Sequence, residues 1–368
     1  MTNLSIEQQL AAYTDENRVL VASSAGSGKT TTLIERVNYL LYEKNIDPSK
    51  IFCITFTNMA AEEMKTRLGE KGTQCFVGTI HGLANRILLI NGISTFEVIE
   101  KEEFDRFFVM LHDNINEIKI PEVEHLLVDE FQDVCDNEYN FMTEILKPKN
   151  FWFCGDSRQA IYGFKGSNYQ FFMDLTVDPF TTTYELCDCY RCGPEIIDFA
   201  NYQIKDVRNI YRTHTHCFKS YGEAEVDEDE FGYGAVLETI QQINNYRETV
   251  VLCRSNNMVD DMLFFLKRHG VPAMTFKKAD KTLAELQLDM ESDMVKVLTV
   301  HSAKGLEWDN VIVCQEYNAW NDEEKRINYV AATRARNYLL WLKVPRKRTA
   351  RKKPSYTQNY MDSQMKEW

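Results

Sequence analysis

Residues 19–30 read Val-Leu-Val-Ala-Ser-Ser-Ala-Gly-Ser-Gly-Lys-Thr: an apolar strand, a turn of small residues and the opening of a helix. This segment constrains the fold more than any other, because strand, tight turn and helix in immediate succession belong to an α/β layer. Ser24, Ala25, Gly26, Ser27 and Gly28 let consecutive backbone N–H groups face a polyphosphate, and the helix N-terminus adds partial positive charge. Lys29 then reaches the β/γ oxygens and Thr30 is placed to ligate Mg²⁺. Ser23 stands where the usual G-x4-GK[ST] pattern begins with glycine, so the flanking strand and helix, not a strict pattern, identify a nucleotide site over a plain structural turn.

The rest of the chain extends the same alternation. Segments 18–23, 51–56, 75–80, 125–129 and 151–155 read as strands covered on both faces, as in a parallel sheet. Segments 29–41, 59–68, 81–89, 104–112 and 138–146 carry helical spacing between them. The pattern resets after Val177-Asp178-Pro179, with strands at 182–186, 249–253, 295–300 and 310–314 and helices at 194–202, 258–269 and 323–337. A chain of 368 residues is long enough for two domains of roughly 150 residues each. The expected division is a first domain over 1–178, a second over 179–345 and a basic tail over 346–368.

With 44% hydrophobic and 26% charged residues the chain is neither disordered nor fibrous, and its apolar stretches are too short to span a bilayer. The N-terminus lacks the look of a secretion signal, and the ten cysteines fall mostly in strand-like runs, which suggests free thiols in a reducing cytoplasm. Cys187, Cys189 and Cys192 form the one cluster. Zinc would need a fourth ligand, for which His214, His216 and Cys217 are the candidates. The net charge of −13 argues against a uniformly basic coat but leaves room for a local groove that binds phosphates. Residues 223–230 read as an acidic loop, and 346–353 as either a solvated basic tail or an accessory phosphate-binding arm.

Phosphoryl transfer also needs a carboxylate at the end of a neighbouring strand, and Asp129 and Glu130 follow the run at 125–128. Asp129 would hold Mg²⁺ with Thr30, and Glu130 would accept a proton from attacking water. Alone, the acidic pair reads equally well as the end of a strand. Val128-Asp-Glu-Phe-Gln-Asp133 followed by Cys154-Gly-Asp-Ser-Arg-Gln-Ala-Ile-Tyr-Gly-Phe-Lys-Gly166 resembles the UvrD/Rep/PcrA family of superfamily 1 DNA helicases. Further matches run in order from residue 4 to 336. Leu4-Ser-Ile-Glu-Gln8 resembles the Q motif, and Thr55-Phe-Thr-Asn58 and Gly78-Thr-Ile-His-Gly82 resemble motifs that grip DNA. Cys189-Tyr190-Arg191, Cys253-Arg-Ser-Asn256, Thr299-Val-His-Ser-Ala-Lys-Gly-Leu-Glu307 and Tyr329-Val-Ala-Ala-Thr-Arg334 complete the series.

The resemblance implies two RecA-like P-loop domains in tandem, each a mainly parallel sheet flanked by helices, with ATP in the cleft between them. It places Gln8 on the adenine edge, Tyr190 on the base face and Glu307 and Thr31 among the nucleotide contacts. Arg191 and Arg334 become arginine fingers, each worth ~10³ or more in rate, and Gln159 contacts the γ-phosphate. For single-stranded DNA, Phe56, Tyr162 and Phe164 are the stacking platforms, although core packing is a live alternative for each. Thr57, Asn58, Thr79, His81, Arg254, Asn256, His301 and Ser302 are the expected DNA contacts, with neither histidine given acid–base work.

Two departures from the family stand out: Phe164-Lys165 replaces the usual Trp-Arg, and Thr31 stands where relatives often carry Arg. Relatives also carry domain-sized insertions where this chain has only 91–124 and 273–294. The leading expectation is a Mg²⁺- and ATP-dependent motor moving 3′ to 5′ on single-stranded DNA or a single/double-strand junction. One alternative is a DNA-stimulated translocase with little unwinding of its own, acting with a nuclease, repair or defence partner. The other is a non-catalytic nucleic-acid-binding module.

Overall fold

The computed structural model describes residues 4–72, 74–208, 210–219, 224–230, 232–277, 282–315 and 321–343. The basic run at 346–353 and the tail to 368 lie outside the described residues. Among the described residues no helix is long and apolar enough to cross a membrane.

Strands β1 (Arg18–Ser23), β2 (Ile51–Thr55), β3 (Phe76–Thr79), β4 (His125–Val128), β5 (Asn150–Gly155) and β6 (Thr182–Leu186) build one parallel sheet in the order β3-β2-β4-β5-β1-β6. Side chains alternate between its faces. Leu20, Ile54, Leu126 and Phe153 enter the core on one face, and Val19, Val21, Cys53, Leu127 and Trp152 the core on the other. Each fully buried side chain of this kind contributes about 1.5–3 kcal/mol, which is why these strands read as unbroken apolar runs. The Trp152 indole donates to the Ala11 carbonyl at 2.8 Å and so fixes the helix Ile6–Ala12 against the sheet.

After a short parallel pair, β7 (Asp188–Cys189) with β8 (His216–Cys217), a second parallel sheet forms. It comprises β9 (Glu225–Glu230), β10 (Thr249–Cys253), β11 (Ala273–Met274), β12 (Val295–Thr299), β13 (Trp308–Gln315) and β14 (Ala335–Lys343), in the order β11-β12-β10-β13-β14-β9. Val250, Leu252, Val311 and Trp341 face one core, and Val251, Val297, Ile312 and Leu342 the other. The first of these cores also takes in Ala25, Met59 and Ile161 from the first unit, so an apolar seam joins the two sheets' layers.

Four sequence readings are corrected. The strand at 182–186 pairs with β1, not with the second sheet, because its register partners Val19–Ser23 lie at the first sheet's edge. The segment read as a helix over 323–337 is the helix Asp322–Ala332 followed by β14, an inner strand. The acidic stretch read as a loop is the edge strand β9 from Glu225 onward. Asp129 follows β4, which is separated from β1 by β5 and is not its direct neighbour.

Candidate nucleotide-binding cleft

All six strands of the first sheet point their carboxyl ends the same way, and ligands of open α/β sheets sit off that edge. There the phosphate loop leaves β1 with Gly26 at φ 70° and Gly28 at φ 77°, left-handed conformations that glycine adopts without steric cost. Both positions are also crowded. A Cβ on Gly26 would lie 2.6 Å from the Arg191 Cβ, and one on Gly28 2.6 Å from Gln8 Nε2. The loop is pinned from both flanks: Ser24 N–H donates to Leu186 O at 3.0 Å, and Tyr190 N–H donates to Gly26 O at 3.0 Å. The Ser27 hydroxyl is buried without a partner and is free to meet a phosphate oxygen.

Gln8, expected at the adenine edge, reaches the phosphate loop. Its Nε2 donates to Ser27 O at 3.0 Å and its Oε1 accepts from Ser5 N–H at 3.0 Å, in a capping box. The amide therefore ties the phosphate loop to the N-terminus of helix Ile6–Ala12. Thr31 Oγ1 accepts from the Arg67 guanidinium at 2.8 Å, so helix Asn58–Gly72 brings an arginine to the position where relatives often carry one.

The acidic pair meets the loop across β5. Thr30 Oγ1 donates to Asp129 Oδ2 at 3.1 Å, while Asp129 Oδ1 accepts from Glu130 N–H and the Cys154 thiol. Burial and the neighbouring Glu130 charge raise the Asp129 carboxyl, so a cation placed against it and Thr30 would relieve a buried negative charge. The hydroxyl and carboxylate together suit Mg²⁺, which prefers oxygen ligands and keeps several waters. Glu130 adopts φ 54°, unusual for a residue with a side chain. Lys29 Nζ lies 3.9 Å from its Oε1 and Lys304 Nζ 3.8 Å from its Oε2. Burial would raise the Glu130 carboxyl, but these two ammoniums and the Gln132 amide pull it down to about 2.

Lys304, absent from the sequence-derived site, links the two units. It caps the C-terminus of the single-turn helix Val300–Ala303 that follows β12, donates to the Asp133 carboxylate and, at 2.9 Å, to Gln159 O, and lies 4.9 Å from the Tyr162 ring centroid. Burial pushes the Asp133 carboxyl up to about 7 against the pull of that ammonium. The signal was present, since Lys304 stands inside the most specific motif match, but nothing local tied it to Glu130. Arg158 was missed as well: it is buried, pairs with Asp156 at 2.8 Å and donates to Ser23 O at 3.1 Å, tying the ends of β1 and β5 together. Gln159 donates to Asp156 Oδ2 at 2.9 Å.

Arg191 packs against the phosphate loop at Gly26 and the Arg334 charge acts on Glu130, but both guanidiniums are committed within their own unit. Arg191 bonds Glu307 and, at 3.3 Å, Thr333 O. Arg334 is 1% exposed and donates to Val330 O, Leu306 O and Thr333 Oγ1 at 3.0–3.2 Å. Burial and the nearby Arg191 charge lower the Arg334 guanidinium to about 10. The Tyr190 ring stacks on Phe218 with centroids 4.7 Å apart.

The expected DNA contacts separate into two groups. Phe56 stacks on Tyr162 at 5.1 Å, Tyr162 lies 6.1 Å from Phe164, and Phe164 meets His301 edge-on at 5.2 Å, so both units contribute to one aromatic cluster. Phe164 is 65% exposed and Phe56 38%, which excludes core packing for these two. His301 Nε2 is buried without a partner. The remaining polar contacts are engaged: Thr57 Oγ1 accepts from Ala60 N–H, Thr79 Oγ1 caps helix Ile80–Ile90, and Ser302 pairs with Thr299. His81 sits between Asp105 at 3.3 Å and Glu138 at 3.6 Å, and Arg254 is held bidentately by Glu324. Asn58 and Asn256 each open a helix. A cleft of about 430 Å³ runs from Asp129, Glu130 and Asp133 to Thr79, His81 and Tyr162.

Of the three clustered cysteines, Cys189 and Cys192 stay together and Cys187 does not. Cys189 is the register partner of Cys217, whereas Cys187 turns toward Glu185. Among the described residues, the group whose ligand atoms lie within 4.8 Å of one another is Glu7, Asp188 and His216, with His216 exposed.

Comparison with known proteins gives a consistent result. The UvrD/REP helicase N-terminal domain matches residues 4–120 and 105–179, and the UvrD-like helicase C-terminal domain matches residues 279–344. The ATP-dependent DNA helicase PcrA of Staphylococcus epidermidis is 27% identical over 350 residues, covering 69% of this chain and 48% of that protein. The PcrA of Staphylococcus aureus is 26% identical over 352 residues, covering 70% and 48%. The chain thus spans about half the length of the curated relatives it matches. A solved C-terminal domain of a possible DNA helicase from Lactobacillus plantarum is similar over 43% of this chain and 88% of that one, at 20% identity and a TM-score of 0.32, a likeness too loose to argue from.

Proposed function

The chain belongs to the UvrD/Rep-like family of helicases, and from that membership we propose that it is an ATP-driven motor on single-stranded DNA. The observation that carries this reading is the position of Lys304. One ammonium from the second unit approaches the proposed base Glu130 and also lies against Tyr162 in the aromatic cluster, so nucleotide and polynucleotide act on the same group.

In this reading ATP sits on the phosphate loop and Lys29 moves from Glu130 to the outer phosphates. Thr30 and Asp129 would hold Mg²⁺, which would supply charge neutralisation at the phosphates. Glu130, ionised and relieved of one ammonium, takes the proton of the attacking water. Arg191 and Arg334 exchange their carbonyl and carboxylate partners for the transferring phosphate, and Gln159 turns from Asp156 toward it. Bases stack on Phe56, Tyr162 and Phe164, each stack contributing ~1–3 kcal/mol without sequence preference. Domain closure and movement 3′ to 5′ are the finer parts of the proposal, with the division falling after β6 and not at residue 178. A cytoplasmic setting fits the ten free cysteines.

A second reading, translocation with little unwinding, is favoured by the segment between β3 and β4. The family match there falls into two pieces that meet at 105–120, and 91–124 holds only the short helices Phe96–Glu100 and Arg106–Asp113. A strand-displacement assay run beside a translocation assay separates the two readings, and adding a nuclease or repair partner tests whether unwinding then appears.

The primary test is phosphate release with and without single-stranded DNA. Lys29→Ala abolishes release in both conditions. Tyr162→Ala keeps basal release but weakens DNA binding by roughly 10- to 100-fold, the equivalent of one lost stack. Release that ignores both DNA and the Lys29 change overturns the motor.

A further inference from the structure

Cys189-Tyr190-Arg191-Cys192 places a proposed finger between two cysteines spaced as a redox pair, and Cys192 is followed by the helix Pro194–Gln203. The Cys189 sulfur lies against the Cys192 backbone. Cys192 N–H donates to Cys189 Sγ at 3.3 Å, and the Cys189 thiol contacts Cys192 O at 3.7 Å. Both residues are fully buried, and half-buried Cys217, across from Cys189 in register, is the member of the cluster open to solvent. The cluster also touches the nucleotide site on both sides. A Cβ on Gly26 would lie 3.2 Å from Cys189 Sγ, and Cys192 Sγ shares the Thr333 carbonyl with the Arg191 guanidinium.

We propose that Cys189 and Cys192 are a reversible dithiol/disulfide pair oxidised by a hydroperoxide, and that the disulfide withdraws Arg191 from the cleft. The second half rests on the motor reading; the first does not. Cys189 is the attacking sulfur: it accepts the Cys192 N–H at 3.3 Å, and hydrogen bonds from the Cys192 and Cys217 side chains and from the Cys192 and Arg191 backbone hold its thiol down at about 3. The Cys189 thiolate attacks one peroxide oxygen, the O–O bond breaks, and the departing oxygen leaves as water after taking a proton. The Cys192 thiol then displaces the hydroxyl of the Cys189 sulfenic acid, giving the disulfide and a second water. Two thiols lose two electrons and two protons, and one hydrogen peroxide becomes two waters. Cys192 then no longer donates to Thr333 O, and the backbone carrying Arg191 is tied into a closed ring against the phosphate loop.

The test uses the full chain, reduced and then exposed to hydrogen peroxide, with remaining thiols alkylated and peptides mapped by mass spectrometry. The expected map shows Cys189 and Cys192 joined, unalkylated, and freed again by dithiothreitol. Phosphate release falls about tenfold or more on oxidation, short of the ~10³ of an absent finger, and recovers on reduction. Cys192→Ser holds its rate through the same treatment. Full alkylation of both residues, a Cys189–Cys217 link in their place, zinc in the purified protein, or a mapped disulfide with an unchanged rate each overturns the proposal. A chain that releases no phosphate in either state removes the motor reading, while the peptide map still decides the pair.

Discussion

The two walls of the cleft are built in opposite ways. On the first unit, the phosphate loop presents backbone and an unpartnered Ser27 hydroxyl, shaped by two glycines in the left-handed region. On the second, Arg191 and Arg334 present side chains whose donors already serve carbonyls, a hydroxyl and Glu307. The first wall is ready for an anion; the second must release its own acceptors before it can touch one. Preorganised donors act without rearrangement, whereas a committed guanidinium responds to the movement of its unit. In the proposed motor, sensing thus falls to the second wall and binding to the first.

The largest expected effect sharpens this contrast. Arg334→Ala should lower phosphate release ~10³-fold and also destabilise the fold by about 3 kcal/mol, since three acceptors lose their donor. Arg191→Ala should show the rate loss without comparable destabilisation, because Glu307 retains Arg336 nearby at 3.8 Å. Equal unfolding midpoints for the two variants would break the distinction. A smaller effect tests the first wall: Gly28→Ala forces a side chain into φ 77° against Gln8 and should cost ~1–2 kcal/mol, read by denaturant unfolding. Nucleotide affinity should fall with it, and a neutral Gly28→Ala would show that the loop is not preshaped.

The smallest effect concerns what the units share. Burial, aided by Arg36 and Arg254 respectively, lowers His125 in the first unit and His301 in the second to about 4 from 6.5. Both stay neutral in the fold where the unfolded chain takes up protons. Their contribution is present above pH 6.5 and is lost as pH falls toward 4. His125→Gln and His301→Gln should each flatten that part of the stability curve between pH 7 and 5, measured by unfolding midpoints. A curve unchanged in both variants would assign the acid loss elsewhere.

The first wall was legible in sequence because its chemistry is local: strand, loop and helix lie within a dozen residues, and burial on both faces left apolar runs at β1, β2, β4 and β5. The second wall was reached only through resemblance, because its residues converge from 191, 307 and 334 by way of the sheet order. Pairing of β6 with β1 and the inner position of β14 are likewise long-range outcomes. The sequence Ala335–Lys343 mixes polar and apolar residues at its start, so it continued a helical reading past the true end at Ala332. Lys304 and Asp133 stood in recognised motifs, yet their contact spans 171 positions and has no local signature.

Ala25, Met59 and Ile161 sit in the second unit's core, so the two halves adhere through oil as well as through ions. Added salt leaves such a joint intact while it loosens a grip on phosphates. For the proposed motor, ionic strength is therefore a lever that would detach a bound polynucleotide without prying the halves apart. Warming acts on both at once.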